Sequence, residues 1–326
     1  MKIPLLILLS FLVACEVFDK NSYKENRVID IDLGADMSNP KLQISGLDWY
    51  GEQLVLLTQI PSDFNSKLYS VSKKDILQHL KDSSYKVKIS EIYLDDNLVS
   101  ASLDHDNEYE AIAFKNDTVF MAIETDVGDK MQAWLVKGQM VTSDTLKLKE
   151  SCLIKIPLPE NNIHEMACET IVIINNSIYA FYEANGANLN KQAICYKLDR
   201  NLSNVKEINF DHIEYRLTDA TRVDDDNKFW VINNFYKGDI HSLKPVEDSF
   251  IPKTIGSVEN EVKRLVQLQL HNNRISIATN KTIILDPVNC NWEGLARLDD
   301  LGFLIANDTY APDRKRTRLA FIKPNK

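Results

Sequence analysis

Residues 110–124 read EAIAFKNDTVFMAIE, and this stretch decides the fold. Two short apolar runs flank Lys115-Asn116-Asp117, a turn-forming cluster, and an acidic residue stands at each end. β-Branched and aromatic residues on both sides of an Asn/Asp turn are the pattern of a β-hairpin. The same design recurs as ETIVIINNSIYAFYE (169–183), DATRVDDDNKFWVIN (219–233) and EGLARLDDLGFLIAN (293–307). A weaker copy is SGLDWYGEQLVLLTQ (45–59), and a degenerate one is LVQLQLHNNRISIAT (265–279). In every copy the offset from first to last residue is 14. Residues equidistant from a hairpin turn face each other across the ladder, so the first and last residues of each unit are expected side by side at its open end.

A repeated unit at intervals of a few tens of residues points to a repeat architecture. Further strands are expected after the hairpins, at 67–71, 87–94, 132–136, 153–156, 193–198, 282–285 and 318–322. Lys73 to Lys81 is the one short helix expected. Two hairpin strands plus two more make a four-stranded blade. Six units therefore predict an all-β fold, a six-bladed β-propeller of four-stranded antiparallel blades. The start positions leave only 28 residues between the fifth and sixth units, short for a full blade. The strand at 28–33 is available to close the ring by joining the last blade. A β-sandwich would also show many short strands, but would not need a hairpin of constant register.

The N-terminus carries a separate signal. Lys2 precedes an apolar run from Ile3 to Val13, too short to span a bilayer, and the run ends Leu12-Val13-Ala14-Cys15. A positive start, an apolar core and small residues at the cut have the layout of a secretory signal. The last four residues resemble the bacterial lipobox, in which the cysteine is lipidated. The chain thus divides into a lipoprotein signal peptide (1–14), a lipidated tether (15–27) and a single propeller domain (28–326). It is expected in the bacterial cell envelope, held to the membrane, most simply the outer membrane, through lipid on Cys15. Each buried methylene of such a lipid contributes about 0.8 kcal/mol of anchoring. The formal net charge of -9 makes nucleic acid an unsuitable partner. Four more cysteines, Cys152, Cys168, Cys195 and Cys290, lack the spacing of a zinc cage; disulfides and buried free thiols both remain open.

At three places the sequence resembles a known group. Ser45-Gly46-Leu47, Tyr109-Glu110-Ala111-Ile112 and Asn291-Trp292-Glu293-Gly294-Leu295 resemble motifs of the phytase-like (esterase-like activity of phytase) and SdiA-regulated propeller lipoproteins. The Asn-Trp-Glu-Gly-Leu segment is the most specific; Glu110-Ala111 and Glu169-Thr170 depart from its Glu-Gly pattern. The resemblance implies a six-bladed propeller, an exported location and often a divalent cation, without a secure activity.

If the innermost strand of each blade lines a channel, the hairpin ends converge on one mouth. Glu110, Glu124, Glu169, Glu183, Asp219, Glu293, Asn307 and Asp308, with Asn233, would gather there. So many hard oxygen donors suit Ca²⁺, which takes six to eight of them. The alternative is that they cap strand ends by accepting backbone amides. Lys130, Lys191, Lys237, Arg314 and Arg316 follow the acidic positions. They would set cations over the acidic floor for a small anionic ligand or a protein partner; the alternative is a solvated loop. No nucleophile elbow, H-E-x-x-H or P-loop is present, and the histidines form no recognisable pair, His105 lying nearest the expected mouth. Two functions follow: a membrane-anchored binding propeller, or a cation-dependent phosphoesterase or ester hydrolase.

The anchor is directly testable. Cys15→Ala is expected to abolish labelling by a fatty-acid analogue and to release the protein from the membrane fraction. Persistent labelling in that variant would refute the lipobox.

Overall fold

The computed structural model describes residues 26, 28–34, 37, 39–103, 107–128, 130–160, 162–248, 261–285, 290–308 and 317–324. Cys15, Arg314, Arg316 and His105 lie outside them. The description opens with β1 (Val28–Ile31), followed by a meander of β2 (Ile44–Tyr50), β3 (Gln53–Thr58), β4 (Lys67–Ser72) and β5 (Ile89–Asp95). A second meander holds β6 (Asn107–Lys115), β7 (Thr118–Val127), β8 (Lys130–Thr142) and β9 (Thr145–Ile156). The third runs through β10 (Thr170–Ile174), β11 (Ser177–Phe181), β12 (Cys195–Asp199) and β13 (Lys206–Phe210). The fourth comprises β14 (Arg216–Ala220), β15 (Lys228–Phe235), β16 (Val262–His271) and β17 (Arg274–Ile284). The last is β18 (Asn291–Leu298), β19 (Gly302–Asp308) and β20 (Leu319–Ile322), completed at its outer edge by β1.

Neighbouring strands within each meander pair antiparallel. Outer strands join two pairs of meanders, β5 with β9 and β13 with β17, in parallel. The innermost strands are neighbours in the cyclic order β2, β6, β10, β14, β18 and back to β2. Their side chains alternate between two flanking clusters. Val172 packs toward Tyr179, Phe181 and Phe229, whereas Ile171 packs toward Phe120, Ala122 and Ala133. The apolar core is thus divided into layers between successive meanders.

The expected hairpins are all present, and the helix forms over Lys73–Lys81 as expected, with Ser72 Oγ accepting the Asp75 amide at its start. The 28–33 strand closes the last unit as expected, as β1 on β20. The expected count of six is not what the pairing gives. The described strands make five four-stranded meanders, because residues 265–279 belong to β16 and β17, the outer hairpin of the fourth. Their apolar alternation resembles the other hairpins since both faces of an outer strand are still covered. Asn26, at the end of the expected tether, already bridges to Leu285. None of the four later cysteines is in a disulfide, and Cys168, Cys195 and Cys290 are buried as small apolar side chains. No helix among the described residues is long and apolar enough to cross a membrane.

The register also differs from the constant offset. Glu124 lies opposite Glu108, Asn233 opposite Leu217, and Asn307 opposite Trp292. The reason is a β-bulge in four of the five innermost strands, at Ser45, Glu110, Thr218–Asp219 and Glu293. A bulge adds a residue that takes no ladder partner and re-aims its side chain. In the third meander, β10 begins one residue after Glu169 and stays regular.

Closure of the ring depends on Gly294. A Cβ there would lie 2.6 Å from Leu47 Cγ on β2 and 3.2 Å from Ala306 Cβ. Gly294→Ala is expected to cost about 1–3 kcal/mol through overpacking, read as a lowered melting temperature.

Candidate functional site

Each innermost strand is a sheet edge, since β2, β6, β10, β14 and β18 all stand at the end of their strand order. Their inward backbone groups need partners. Asp219 supplies several: Oδ2 accepts the amides of Leu47 (3.2 Å) and Leu295 (2.7 Å), and Oδ1 that of Ala220 (2.8 Å). Ser45 Oγ donates to the Tyr109 carbonyl, while Thr218 Oγ1 and Asn234 Nδ2 donate to the Trp292 carbonyl. Asn233 donates to the carbonyls of Glu214 and Arg216 and accepts from Arg264 Nε. Asn307 Oδ1 accepts the Arg318 amide at 2.6 Å. Of the residues expected to form one polar mouth, Asp219, Asn233 and Asn307 are therefore engaged with backbone or with a buried guanidinium.

The remaining acids gather at the N-terminal ends of the innermost strands. Glu110, Glu124 and Glu169 each place one carboxylate oxygen so that all three lie within 4.8 Å of one another. All three are buried, as are Glu183, Glu293 and Asp308. Gln59 Nε2 donates to Glu108 Oε2 and Glu110 Oε1, both at 3.0 Å. Asn291 Nδ2 donates to Glu293 Oε1 and to Asp308 Oδ2. Arg216 donates through Nε to Glu183 Oε1 and through Nη2 to Glu169 Oε1 (3.2 Å), and its Nη1 lies 3.9 Å from Asp239 Oδ2. Four buried oxygens in this group take no hydrogen bond: Oε2 of Glu124, Glu169, Glu183 and Glu293.

The electrostatics follow from that crowding. Burial pushes the carboxyls of Glu110, Glu124, Glu183 and Glu293 well above the usual range. Neighbouring carboxylates push the same way: Glu169 on Glu110, Glu110 on Glu124, Glu169 on Glu183, and Asp308 on Glu293. Glu169 is also raised by burial, but the Arg216 guanidinium opposes the rise. Arg216 itself is held more firmly charged by Glu183 and Glu169, against its own burial.

Sequence reasoning found the six clustered acids but not the residues that bind them. Arg216 opens β14 three residues before Asp219, and an arginine in an acidic ring was the available signal. Glu108 and Asn291 each stand two residues before a bulged glutamate, and Gln59 closes the weaker copy of the repeat at 45–59. Of the expected cationic rim, Lys130 and Lys237 are exposed and make no ion pair with the cluster. Lys191 lines a different surface cavity, with His212 and Arg274.

With this geometry in hand, comparison with known proteins addresses the fold. No family model matches this sequence, and no curated protein matches it. Among solved structures, an exo-1,5-α-L-arabinanase from a bovine ruminal metagenomic library matches with a TM-score of 0.51 at 10% identity. The match covers 90% of this chain and 96% of that one. The chain has the β-propeller fold. A GH43_1 enzyme from Xanthomonas citri matches with a TM-score of 0.48 at 6% identity, covering 91% of each chain.

The raised carboxyls set the sign of a pH effect. A carboxyl with a higher pKa folded than unfolded binds more protons in the folded state, so its contribution is present below about pH 4.5 and is lost as pH rises through the folded value. In chelator, the protein is expected to melt at progressively lower temperature as pH rises from about 5 to 8. Glu124→Gln is expected to flatten that slope; an unchanged slope would mean that the cluster does not govern it.

Proposed function

We propose that this protein is a lipid-anchored β-propeller of five blades that binds a divalent cation, Ca²⁺, among Glu110, Glu124 and Glu169. The observation that carries this is the set of three buried carboxylate oxygens within 4.8 Å of one another, surrounded by carboxylate oxygens that take no hydrogen bond. Two oxygens bound to one Ca²⁺ at about 2.4 Å lie at most about 4.8 Å apart. Glu183, Glu293 and Asp308 stand next to the triad and would supply further oxygens or negative potential. A bare cluster of this kind is costly to bury, and a cation offsets its repulsion as protonation does. The ion would then offer open coordination positions to a ligand at the mouth, so that a phosphate or carboxylate could bridge to it.

A second reading keeps the same ion and adds turnover of a phosphate or carboxylate ester. What favours it is Glu293, outside the triad, whose carboxyl burial and then Asp308 hold protonated into a higher pH range, as a general acid requires. A bound divalent ion would supply an activated water. The sequence resemblance to the phytase-like propeller lipoproteins points the same way, although five blades separate this chain from the six that resemblance implies. The arabinanase likeness speaks to fold alone and adds glycosides to the compounds worth assaying. The anchor at Cys15 would place this site in the bacterial cell envelope, most simply at the outer membrane.

Thermal melts with calcium and with chelator test the cation. Stability is expected to rise with free Ca²⁺, by about 2.7 kcal/mol at a hundred times the dissociation constant. Glu169→Gln is expected to weaken that dependence and leave the fold intact in chelator. A wild-type melting temperature indifferent to millimolar calcium would defeat the reading. Chelator-sensitive hydrolysis of phosphate esters, carboxylate esters or glycosides, lost in Glu110→Gln, would select the enzyme over the binding module.

A further inference from the structure

A second polar site lies on the outer rim, where the third and fourth meanders join. There β13 and β17, the outermost strands of their meanders, pair in parallel, with Asn209 opposite Arg274 and Phe210 opposite Ile275. The pairing runs one residue past β13, since the Asp211 amide donates to the Ile275 carbonyl at 3.2 Å. The chain then returns toward β14 through His212 and Ile213, beside the loop that joins β11 to β12; the Ile213 amide donates to the Asn185 carbonyl of that loop at 3.2 Å. A cavity of about 260 Å³ opens between these segments. Its walls are Lys191 and Gln192 of the loop, Asn209, Asp211, His212 and Arg274. Phe210 also borders it, but its ring is turned into the core, edge-on to Phe181 at 5.3 Å, so the cavity is polar throughout.

Two hydrogen bonds bring three basic side chains together here. Arg274 Nη2 donates to Asp211 Oδ1. The next residue, His212, donates from Nε2 to the Asn190 carbonyl at 2.9 Å, and Lys191 follows Asn190 directly. A ring nitrogen that faces a carbonyl carries the hydrogen, so Nδ1 is the acceptor of the neutral ring and becomes a donor when the ring is protonated. Lys191 is exposed and makes no ion pair among the described residues. Arg274 is 60% exposed and is held through Nη2 alone, which leaves Nε and Nη1 available. Lys191 and Arg274 against Asp211 leave one net positive charge before His212 is counted. In a chain of net charge -9 such a gathering is a local exception.

We propose that this cavity binds a small hydroxylated phosphate monoester, with the phosphoryl group between Lys191, Arg274 and protonated His212 and the hydroxyls on Gln192 and Asn209. A phosphate monoester carries a charge of about -1.5 to -2 near neutral pH on three acceptor oxygens, which matches two fixed cations and a protonatable imidazole; a lone carboxylate needs only one fork. Asp211 is the one repulsive group on the wall, and its pairing holds Arg274 in place, so less side-chain freedom is lost on binding. Both amide side chains are exposed, and an amide can donate to and accept from a hydroxyl. The volume stands just below that of ordinary ligand pockets, roughly 300 Å³ upward, and suits a body of a few carbons. No residue is shared with the glutamate cluster, so the inference goes beyond the cation reading and requires no cation.

The test is a titration of the purified full-length chain with glycerol 1-phosphate in chelator, followed by phosphorus NMR. Chelator removes any divalent ion that could carry the phosphate to the glutamates. Saturable binding to one site is expected, and glycerol is expected not to compete. Lys191→Gln and Arg274→Gln are each expected to weaken binding by about tenfold or more, the effect of losing one charge-assisted hydrogen bond. Melting curves confirm folding; Lys191 is exposed, so Lys191→Gln reports on the site even if Arg274→Gln fails to fold. The diester glycerophosphoglycerol, the head group of an anionic lipid, is expected to bind more weakly because it carries one charge. No saturable binding in chelator, or wild-type affinity in Lys191→Gln, would overturn the proposal. Equal or tighter binding of the diester would overturn the monoester assignment and point to a lipid head group, and equal binding of inorganic phosphate would overturn the role of Gln192 and Asn209.

Discussion

The amides of Leu47, Ala220 and Leu295 converge on the carboxylate of Asp219, and the rest of the molecule is arranged around the need they express. A ring of four-stranded meanders leaves five innermost edges facing one axis, each with backbone groups that have lost water and gained no strand. An unsatisfied buried amide costs about 1–3 kcal/mol, so the axis cannot be lined with apolar side chains alone. Ser45, Asp48, Thr218 and Asp219 answer that need, each reaching from its own innermost strand to the backbone of another. The bulges at Ser45, Glu110, Thr218–Asp219 and Glu293 are the means. Without an extra residue, side chains on these strands alternate into the apolar layers between meanders. With one, a polar side chain is turned toward the axis while the strand beyond returns to its alternation.

The same device explains why the glutamates are exceptional. Asp219 takes its amides within the channel, where three strands supply donors. Glu110 and Glu293 occupy equivalent bulges but extend toward the ends of the strands, where the donors run out. They meet Glu124, Glu169 and Glu183 there, and one arginine is not enough to neutralise them. A side chain one methylene longer therefore exchanges a backbone-satisfying role for a place in a charged cluster. Gln59 and Asn291 supply single amide donors that orient individual carboxylates and leave others open. This is an arrangement that specifies oxygen positions without filling them.

How far this was legible in the sequence follows from the two periodicities involved. The hairpins were visible because EAIAFKNDTVFMAIE and its relatives combine β-branched alternation with an Asn/Asp turn, both local signals. The clustered acids were visible because they recur at the same position in the unit. The count of blades was not, because residues 265–279 have the same alternation whether they form the inner or the outer half of a meander. Only pairing across the sequence, β15 on β16 and β13 on β17, separates the two. The bulges were hidden for a related reason. An inserted residue changes which side chains oppose each other but leaves the offset within one hairpin untouched, so an offset of 14 fitted both arrangements. Arg216 was hidden because its role is defined by Glu169 and Glu183 on another meander, 47 and 33 residues away.

Strand β14 and the turn after it show how one segment organises both ends of the axis. Arg216, Asp219 and Arg222 follow at intervals of three, and each meets a different environment. Arg216 holds two carboxylates at one end, Asp219 ties three strands in the middle, and Arg222 closes on Asp48 at the other end. An interval of three would place alternate residues on opposite faces of an ordinary strand. The bulge at Thr218–Asp219 corrects that parity for Asp219, and Arg222 stands beyond the end of β14, where strand alternation no longer applies. Asp219 then does more than bond backbone: along β14 it stands between Arg216, paired with the glutamate cluster, and Arg222, paired with Asp48. A propeller whose innermost strands all run the same way thus gains two chemically distinct ends from a single bulged strand and the turn that follows it.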